Sequence, residues 1–321
     1  MNTTLSIVLI NYNTNELTSN AIDSIKAQTR VDYEIIVIDN CSPKEDPGVL
    51  LIKHPDIQLI RSDENMGFGK ANNLGISKAK GDYVLLLNTD TIIVEGALDK
   101  CVAFMESEVA ISQDIGLMGC KLLNEDGSYQ HSTFEAFNLW TWMISSNAIL
   151  NRLTQRQSAI VAREGRVAGV SGAFMLFRRS TLDVLKGKWF DPDIFMYSEE
   201  TELCRSRVAN ICQIFYWPHA EVIHLVGGST PSDVMSLQMS VSFALTWYKR
   251  GSLYYCIYLL WSLVNMLSDC LILPVVKRNN RKVVRQRLKN YFAGLGYLFW
   301  EIPKYPRKWG GRPTSLNVLH A

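Results

Sequence analysis

Gly81-Asp82-Tyr83-Val84-Leu85-Leu86-Leu87-Asn88-Thr89-Asp90-Thr91 decides the fold. From Tyr83 to Leu87 the run is apolar, with no alternating polar positions. That is the pattern of a strand covered on both faces, as in a parallel sheet with helices above and below. The run then stops on three polar residues, Asn88, Thr89 and Asp90. An acid in that place has two readings. It caps the helix expected next, from Glu95 to Glu108, or it is a ligand for a divalent cation such as Mn²⁺ or Mg²⁺. Such cations prefer oxygen and take few of their ligands from the protein.

Outward from this strand the chain alternates between β-rich runs and helical patterns. Ser6–Ile10 is a predicted strand, and Leu17, Ala21 and Ile25 mark a helix behind it. Tyr33–Asp39 (YEIIVID) is a second covered strand, Ile57–Ile60 a third, and Gly69–Ala79 a helix. Strand and helix in alternation predict an α/β fold with a doubly wound sheet. Ligands of such sheets sit at the carboxyl ends of the strands. Three strands end there in polar residues: Asn11-Tyr12-Asn13, Asp39-Asn40 and Asn88-Thr89-Asp90. Asp39 is either the cap of a turn through Ser42-Pro43 or a carboxylate that accepts from a nucleobase or ribose.

Bulk properties narrow the classes. The chain of 321 residues is 47% apolar with a net charge of +2, which suits a large core and gives no case for nucleic-acid binding. Seven scattered cysteines with no C-x-x-C pair favour reduced thiols in a cytoplasmic compartment. The first eleven residues read as a strand and not as a signal peptide. The segment Asp63–Asn73 carries Gly67 and Gly69 but neither dinucleotide nor P-loop spacing, which argues against NAD- and ATP-type phosphate sites.

Two further clusters carry chemistry. In Phe195–Arg205, Glu199, Glu200 and Glu202 stand at a predicted helix start. They either favour its dipole or supply a carboxylate that removes a proton from an attacking hydroxyl. His219 and His224 lie five apart, and His224, ahead of Gly227-Gly228, suits an added metal or diphosphate contact. Asn124–Ser128 is a turn, and the stretch with Trp140 and Trp142 is a helix or a loop facing the acceptor.

In order, IVLINYNT, IIVIDNCS, ENMGFGKANNLGI, GDYVLLLNTDT, VSGAFMLFRR, FDPDIFMYSEETELCRSR and HLVGGST resemble the family 2 glycosyltransferases, especially the bacterial rhamnosyltransferase-like branch. The resemblance runs over about residues 5 to 230. It implies a GT-A fold, a Rossmann-like mixed sheet flanked by helices, and inverting, metal-dependent sugar transfer from a nucleotide-diphosphate sugar. By the same resemblance Asn11, Tyr12 and Asp39 hold the nucleoside, and Lys70 and Asn73 line the donor site. Asp90 holds the metal, with His224 as a metal or diphosphate residue, and Glu200 is the base. The branch usually has Pro where Thr89 stands and Asp where Glu200 stands, so Glu199 and Glu202 remain rival bases. The first expected donor is dTDP-rhamnose, and the acceptor a glycan or lipid-linked hydroxyl in bacterial polysaccharide synthesis.

The expected organisation is a catalytic domain over residues 1–245, with a nucleotide-sugar half to about residue 120 and an acceptor half beyond it. Residues 246–321 form a helical, basic tail. Between Lys277 and Arg312 stand eleven cations and one acid, Glu301. Leu253–Leu273 is apolar and about long enough to cross a bilayer, which takes ~20 residues. Ser262, Asn265 and Asp269 nevertheless line one helical face, which favours a helix lying in the interface of the cytoplasmic membrane or packed on protein. A soluble hairpin or homodimer contact is the alternative use. Two other functions compete: a sugar-phosphate nucleotidyltransferase, which would need a glycine-rich basic loop after the first strand, and a catalytically degenerate binding protein.

Overall fold

The computed structural model describes residues 4–134, 143–144, 146–147, 150, 163–225, 232–275, 278–307 and 316–317. Trp140, Trp142, Gly227, Gly228, Lys277, Lys308, Trp309 and Arg312 lie outside them. The chain forms two compact units. The first comprises Met1–Ala136, Val161–Asp191 and Glu200–Ser229, the second Phe137–Ile160, Pro192–Glu199 and Thr230–Ala321. The second unit thus begins earlier than residue 246 and draws in two excursions from the preceding chain.

In chain order the first unit runs through β1 (Leu5–Asn11), α1 (Asn15–Gln28), β2 (Tyr33–Asp39), α2 (Gly48–Lys53), β3 (Gln58–Arg61), α3 (Gly67–Lys78) and β4 (Tyr83–Leu87). Then come β5 (Thr91–Ile93), α4 (Ala97–Glu106), α5 (Glu108–Ser112), β6 (Ile115–Leu123), β7 (Tyr129–Gln130) and β8 (Thr133–Phe134). The unit continues with β9 (Gly165–Arg166), β10 (Gly169–Val170), β11 (Phe174–Arg178) and α6 (Arg179–Val184). It closes with α7 (Glu199–Ser206), whose first residue belongs to the other unit, and β12 (Gln213–His224).

The main sheet has the order β3-β2-β1-β4-β11-β6-β12-β5. Its first four strands are parallel, with Asn11 opposite Asp39 and Leu9 opposite Leu87. β11 runs antiparallel to β4, as the mixed sheet implied by the resemblance requires. The sheet is therefore mixed. Both faces are covered, as the apolar runs required. Ile7, Leu9, Leu85 and Leu87 turn to a layer with Ile22 and Ile25 of α1 and Leu98 and Met105 of α4. Val8, Val84 and Leu86 turn to the opposite layer with Ile76 of α3 and Leu203 and Cys204 of α7.

Helix α3 lies so close to β1 that a Cβ at Gly75 would fall 2.2 Å from Val8 Cγ1. Gly75→Ala should lower stability by about 1–3 kcal/mol through overpacking, read as an earlier urea midpoint. The expected helix from Glu95 begins two residues later, because β5 occupies the chain after Asp90 and Gly96 stands at the helix start with φ +65°. It also breaks at Ser107, whose hydroxyl accepts from Ala110 N at 3.2 Å and starts α5.

The second unit contains α8 (Ser232–Arg250), α9 (Ser252–Ile272) and α10 (Arg278–Gly296). Its core gathers Val241, Leu245, Trp247, Tyr255, Tyr258 and Ile302 around Ile194 and Leu316. The excursion 192–199 is tied down inside this unit. Asp193, fully buried, pairs with Lys249, its carbonyl accepts from Leu316 N at 3.0 Å, and Met196 O accepts from Ser242 Oγ at 2.7 Å.

Candidate active site

The site is assembled at the carboxyl ends of β1, β2 and β4. Asn11 ends β1 fully buried. Its amide nitrogen donates to Asp39 Oδ1 at 2.8 Å and Asn15 Oδ1 at 3.0 Å, while its oxygen accepts from Thr18 Oγ1 at 2.8 Å and Thr14 Oγ1 at 3.2 Å. Asn11 therefore aims its neighbour, its own bonding capacity filled from within the protein. Tyr12 follows, half-buried. Asp39 is 4% exposed; Ser42 Oγ donates to its Oδ1 at 2.6 Å and Ser42 N to its Oδ2 at 3.2 Å. The turn-capping role is thus real. A carboxylate offers roughly four lone-pair sites, so capacity for a ligand remains beside the three bonds it accepts. The chain leaves both strand ends through left-handed residues, Asn13 at φ +54° and Cys41 at φ +63°.

Asn40 organises the segment ahead of α3, accepting from Met66 N at 2.9 Å and donating to Asn65 Oδ1 at 2.9 Å. Lys70 lies 3.4 Å from Glu64. Asn73 clasps the backbone of Phe190 from both sides, donating to its carbonyl and accepting from its N–H, each at 2.9 Å. The amide that the family resemblance placed on the donor site thus orients the Phe190 segment.

At the end of β4, Thr89 Oγ1 stands 3.4 Å from Thr14 Oγ1, linking the first and fourth strand ends. Asp90 is followed at once by β5, in which Thr91 pairs with His224 of β12, and Asp90 O accepts from Leu225 N at 2.8 Å. No helix starts here, so the capping reading of Asp90 falls away. Its Oδ1 instead lies 3.2 Å from His224 Nε2, with Asn88 Nδ2 3.4 Å from the same nitrogen.

Gln130 sets the state of that imidazole. Its amide nitrogen donates to Asn124 Oδ1 at 2.9 Å and to His224 O at 3.3 Å, which leaves Oε1 facing His224 Nδ1 at 2.6 Å. With this amide orientation Nδ1 carries a proton, and Nε2 is the ring atom turned towards the Asp90 carboxylate. An imidazole nitrogen and a carboxylate oxygen held this close share a positive charge, carried by a proton on Nε2 or by a metal ion between them. A divalent ion with bonds of about 2.0–2.1 Å puts neighbouring ligands about 3 Å apart, so the pair fits one. No group of three or more His, Cys, Asp and Glu gathers among the described residues, so an ion held here would take its remaining ligands from phosphate and water.

The three acids of α7 are separated by their surroundings. Glu202 is buried and receives both Arg207 Nε and Nη2 at 3.3 Å, and the same guanidinium lies 4.0 Å from Asp191. Glu199 is buried. Glu200 is half-buried, no lysine or arginine among the described residues pairs with it, and burial raises its carboxyl above the ordinary glutamate range. Two consecutive left-handed residues, Tyr197 at φ +65° and Ser198 at φ +71°, turn the chain into this helix. Residues other than glycine hold that conformation at a cost, and such strain gathers at functional sites.

His219 does not join. It is exposed, bonds Glu164 at 2.8 Å and packs its ring edge on Trp217. Gln130 is the residue that sequence reasoning missed. The expected turn at Asn124–Ser128 joins β6 to β7 and sets Gln130 opposite Leu122, but nothing local to it names His224 as its partner.

A family model described as Glycosyl transferase family 2 matches residues 6–185. Among similar proteins, the N-acetylglucosaminyl-diphospho-decaprenol L-rhamnosyltransferase of Mycobacterium tuberculosis is 25% identical over 256 residues, 74% of this chain and 80% of that protein. The succinoglycan biosynthesis protein ExoO of Rhizobium meliloti is 36% identical over 90 residues, 28% of this chain and 26% of its own length. An uncharacterized glycosyltransferase of Haemophilus influenzae is 28% identical over 125 residues, 39% of this chain. The matches span less than half the length of these last two relatives. Among solved structures, the mannosyltransferase PcManGT from Pyrobaculum calidifontis, in complex with GDP-Man and Mn²⁺, aligns with a TM-score of 0.56 at 13% identity, covering 94% of this chain and 88% of that one. Residues 1–349 of S. aureus TarS in complex with UDP-GlcNAc align at 0.52 and 14%, covering 91% and 81%. These likenesses are of fold, and the fold is GT-A.

Proposed function

The chain belongs to glycosyl transferase family 2, and from that premise we propose that it moves a sugar from a nucleotide-diphosphate donor to a hydroxyl of a glycan or lipid-linked acceptor. The proposal rests above all on the convergence of Asp90 Oδ1 and His224 Nε2, 3.2 Å apart at the end of β4. A Mn²⁺ or Mg²⁺ ion bound there would neutralise the charge that develops on the departing diphosphate. Asp39, aimed by Asn11 and Ser42, accepts from the nucleoside beside Tyr12, and Lys70 faces the donor phosphates. Glu200 takes the proton of the acceptor hydroxyl as its oxygen attacks the anomeric carbon. A single base with direct displacement gives inversion. The first donor to test is dTDP-rhamnose, a choice supported by the mycobacterial relative's name and extent of match. The work is bacterial polysaccharide synthesis at the cytoplasmic face of the membrane. Within the described residues one helix, α9, is long and apolar enough to cross a bilayer by length and composition.

A panel of nucleotide sugars, screened with and without Mn²⁺ by thermal melting and then by sugar release, tests this. A matching donor raises the melting temperature in a metal-dependent way. If no donor stabilises the protein and none loses its sugar, the reading fails. Gln130→Leu provides a finer check. Without its acceptor the His224 ring loses its fixed tautomer and orientation, and Mn²⁺ affinity in calorimetry should fall by about 10- to 100-fold.

A further inference from the structure

The second unit inverts the usual polarity of a surface helix. Along α9 the buried stripe is Tyr255, Tyr258, Asn265 and Asp269. The outward stripe is Leu253, Leu260, Leu263, Val264, Leu267 and Leu271, with Leu253 71% and Leu271 76% exposed. Their spacing of three, four and seven makes one continuous face. A helix turned to water would carry its polar groups on that side, and an apolar patch of this kind marks an interaction surface.

The polar groups inside find partners within the unit. Asn265 Oδ1 accepts from Asn147 Nδ2 at 2.9 Å, Tyr258 donates to Ser240 O at 3.0 Å, and Asp269 pairs with Arg287. The last bond joins α9 to α10 as a hairpin, and Arg281 Nη2 donates to Pro274 O at 3.0 Å at its bend. Between Arg278 and Gly296 there is no acid. Arg281, Lys282, Arg285 and Lys289 are exposed, and Phe292 and Trp300 are exposed beyond them.

We propose that this hairpin seats in the interfacial layer of an anionic lipid bilayer, with the outer stripe of α9 at the acyl boundary and the cations of α10 on headgroup phosphates. It rests on the membrane reading above and adds to it the face, the depth and the charge of the lipid. Apolar side chains on one side, cations beside them and aromatic rings at the margin are the composition of such interfacial helices. Charge selects this occupant over a second copy, since a two-fold pairing of the same surface would oppose two acid-free α10 helices. Crossing the bilayer would strip Asn265 and Asp269 of their partners, so α9 lies flat.

Flotation of the full chain with phosphatidylcholine vesicles, with and without phosphatidylglycerol, tests the proposal. The protein should float with the anionic vesicles at low salt and release from them at high salt. Leu260→Ser and Leu267→Ser, both exposed and checked by circular dichroism, should each weaken partition about tenfold. Lys282→Glu with Lys289→Glu should reduce anionic binding to the level of neutral vesicles. Sugar release from the soluble donor should be unchanged in all of them, so failure here is distinct from failure of the transferase reading. Absence of flotation, or equal binding to neutral vesicles, overturns it. So does a dimer in sedimentation that Leu267→Ser disperses while vesicles go unbound.

Discussion

Asp90→Ala should reduce kcat/KM for sugar transfer by about 10²–10³-fold, the loss typical when one group that stabilises transition-state charge is removed. The carboxylate lies at a fixed place because the chain on both sides is strand. β4 ends at Leu87, β5 begins at Thr91, and Leu225 N holds the carbonyl of Asp90 itself. The side chain makes its contact with His224 and is 23% exposed, so its loss leaves no buried group stranded. The variant should therefore melt near the native temperature and yet gain nothing from added Mn²⁺. A variant that turns over normally, or that responds to Mn²⁺ as the native protein does, removes Asp90 from the metal.

Glu200→Gln should lower kcat by about 10²–10⁴-fold, the range for loss of a general base. Donor-dependent stabilisation should be intact, since the amide keeps the shape and loses only proton affinity. Burial raises the Glu200 carboxyl above its ordinary value, so the acid limb of kcat/KM should lie above the usual glutamate range, with activity rising as pH rises through it. The stability sign is opposite. A raised folded-state value means the native protein holds this proton more tightly than the unfolded chain, so stability falls as pH rises from the ordinary glutamate value through the raised one. At neutral pH the inactive Glu200→Gln should thus melt at or above the native temperature. Glu202→Gln serves as the contrast. It loosens a buried partner of Arg207 and should lose stability. If Glu202→Gln or Glu199→Gln abolishes transfer while Glu200→Gln leaves it, the base is another carboxylate.

The parallel half of the sheet was legible because a strand covered on both faces leaves a continuous apolar run. Tyr33–Asp39 and Tyr83–Leu87 appear with their expected ends. β5 was not, being only Thr91–Ile93 and stable through pairing with β12, whose register no local pattern encodes. For the same reason the helix-cap alternative for Asp90 could not be dismissed before the strand was seen. The polar strand ends marked Asn11, Asp39 and Asp90 as candidates for one site but not the contacts each makes. That Asn11 serves Asp39, and that Asn73 clasps Phe190, depends on contacts between distant segments. The choice among Glu199, Glu200 and Glu202 likewise turns on burial and on Arg207, neither of which shows in a run of acids.

The bond between Leu316 and Asp193 has a consequence for the order in which the protein can be completed. Ile194 forms a β-bridge with Leu316, so the stretch that leads directly into Glu200 takes a backbone partner from a much later part of the chain. During synthesis that stretch emerges well before its partner, and closing so long a loop is slow. The basic tail is accordingly no detachable module. A chain shortened at its carboxyl end would leave Ile194 without the residue that covers it, a few positions ahead of Glu200. Finishing the tail is part of finishing the approach to Glu200.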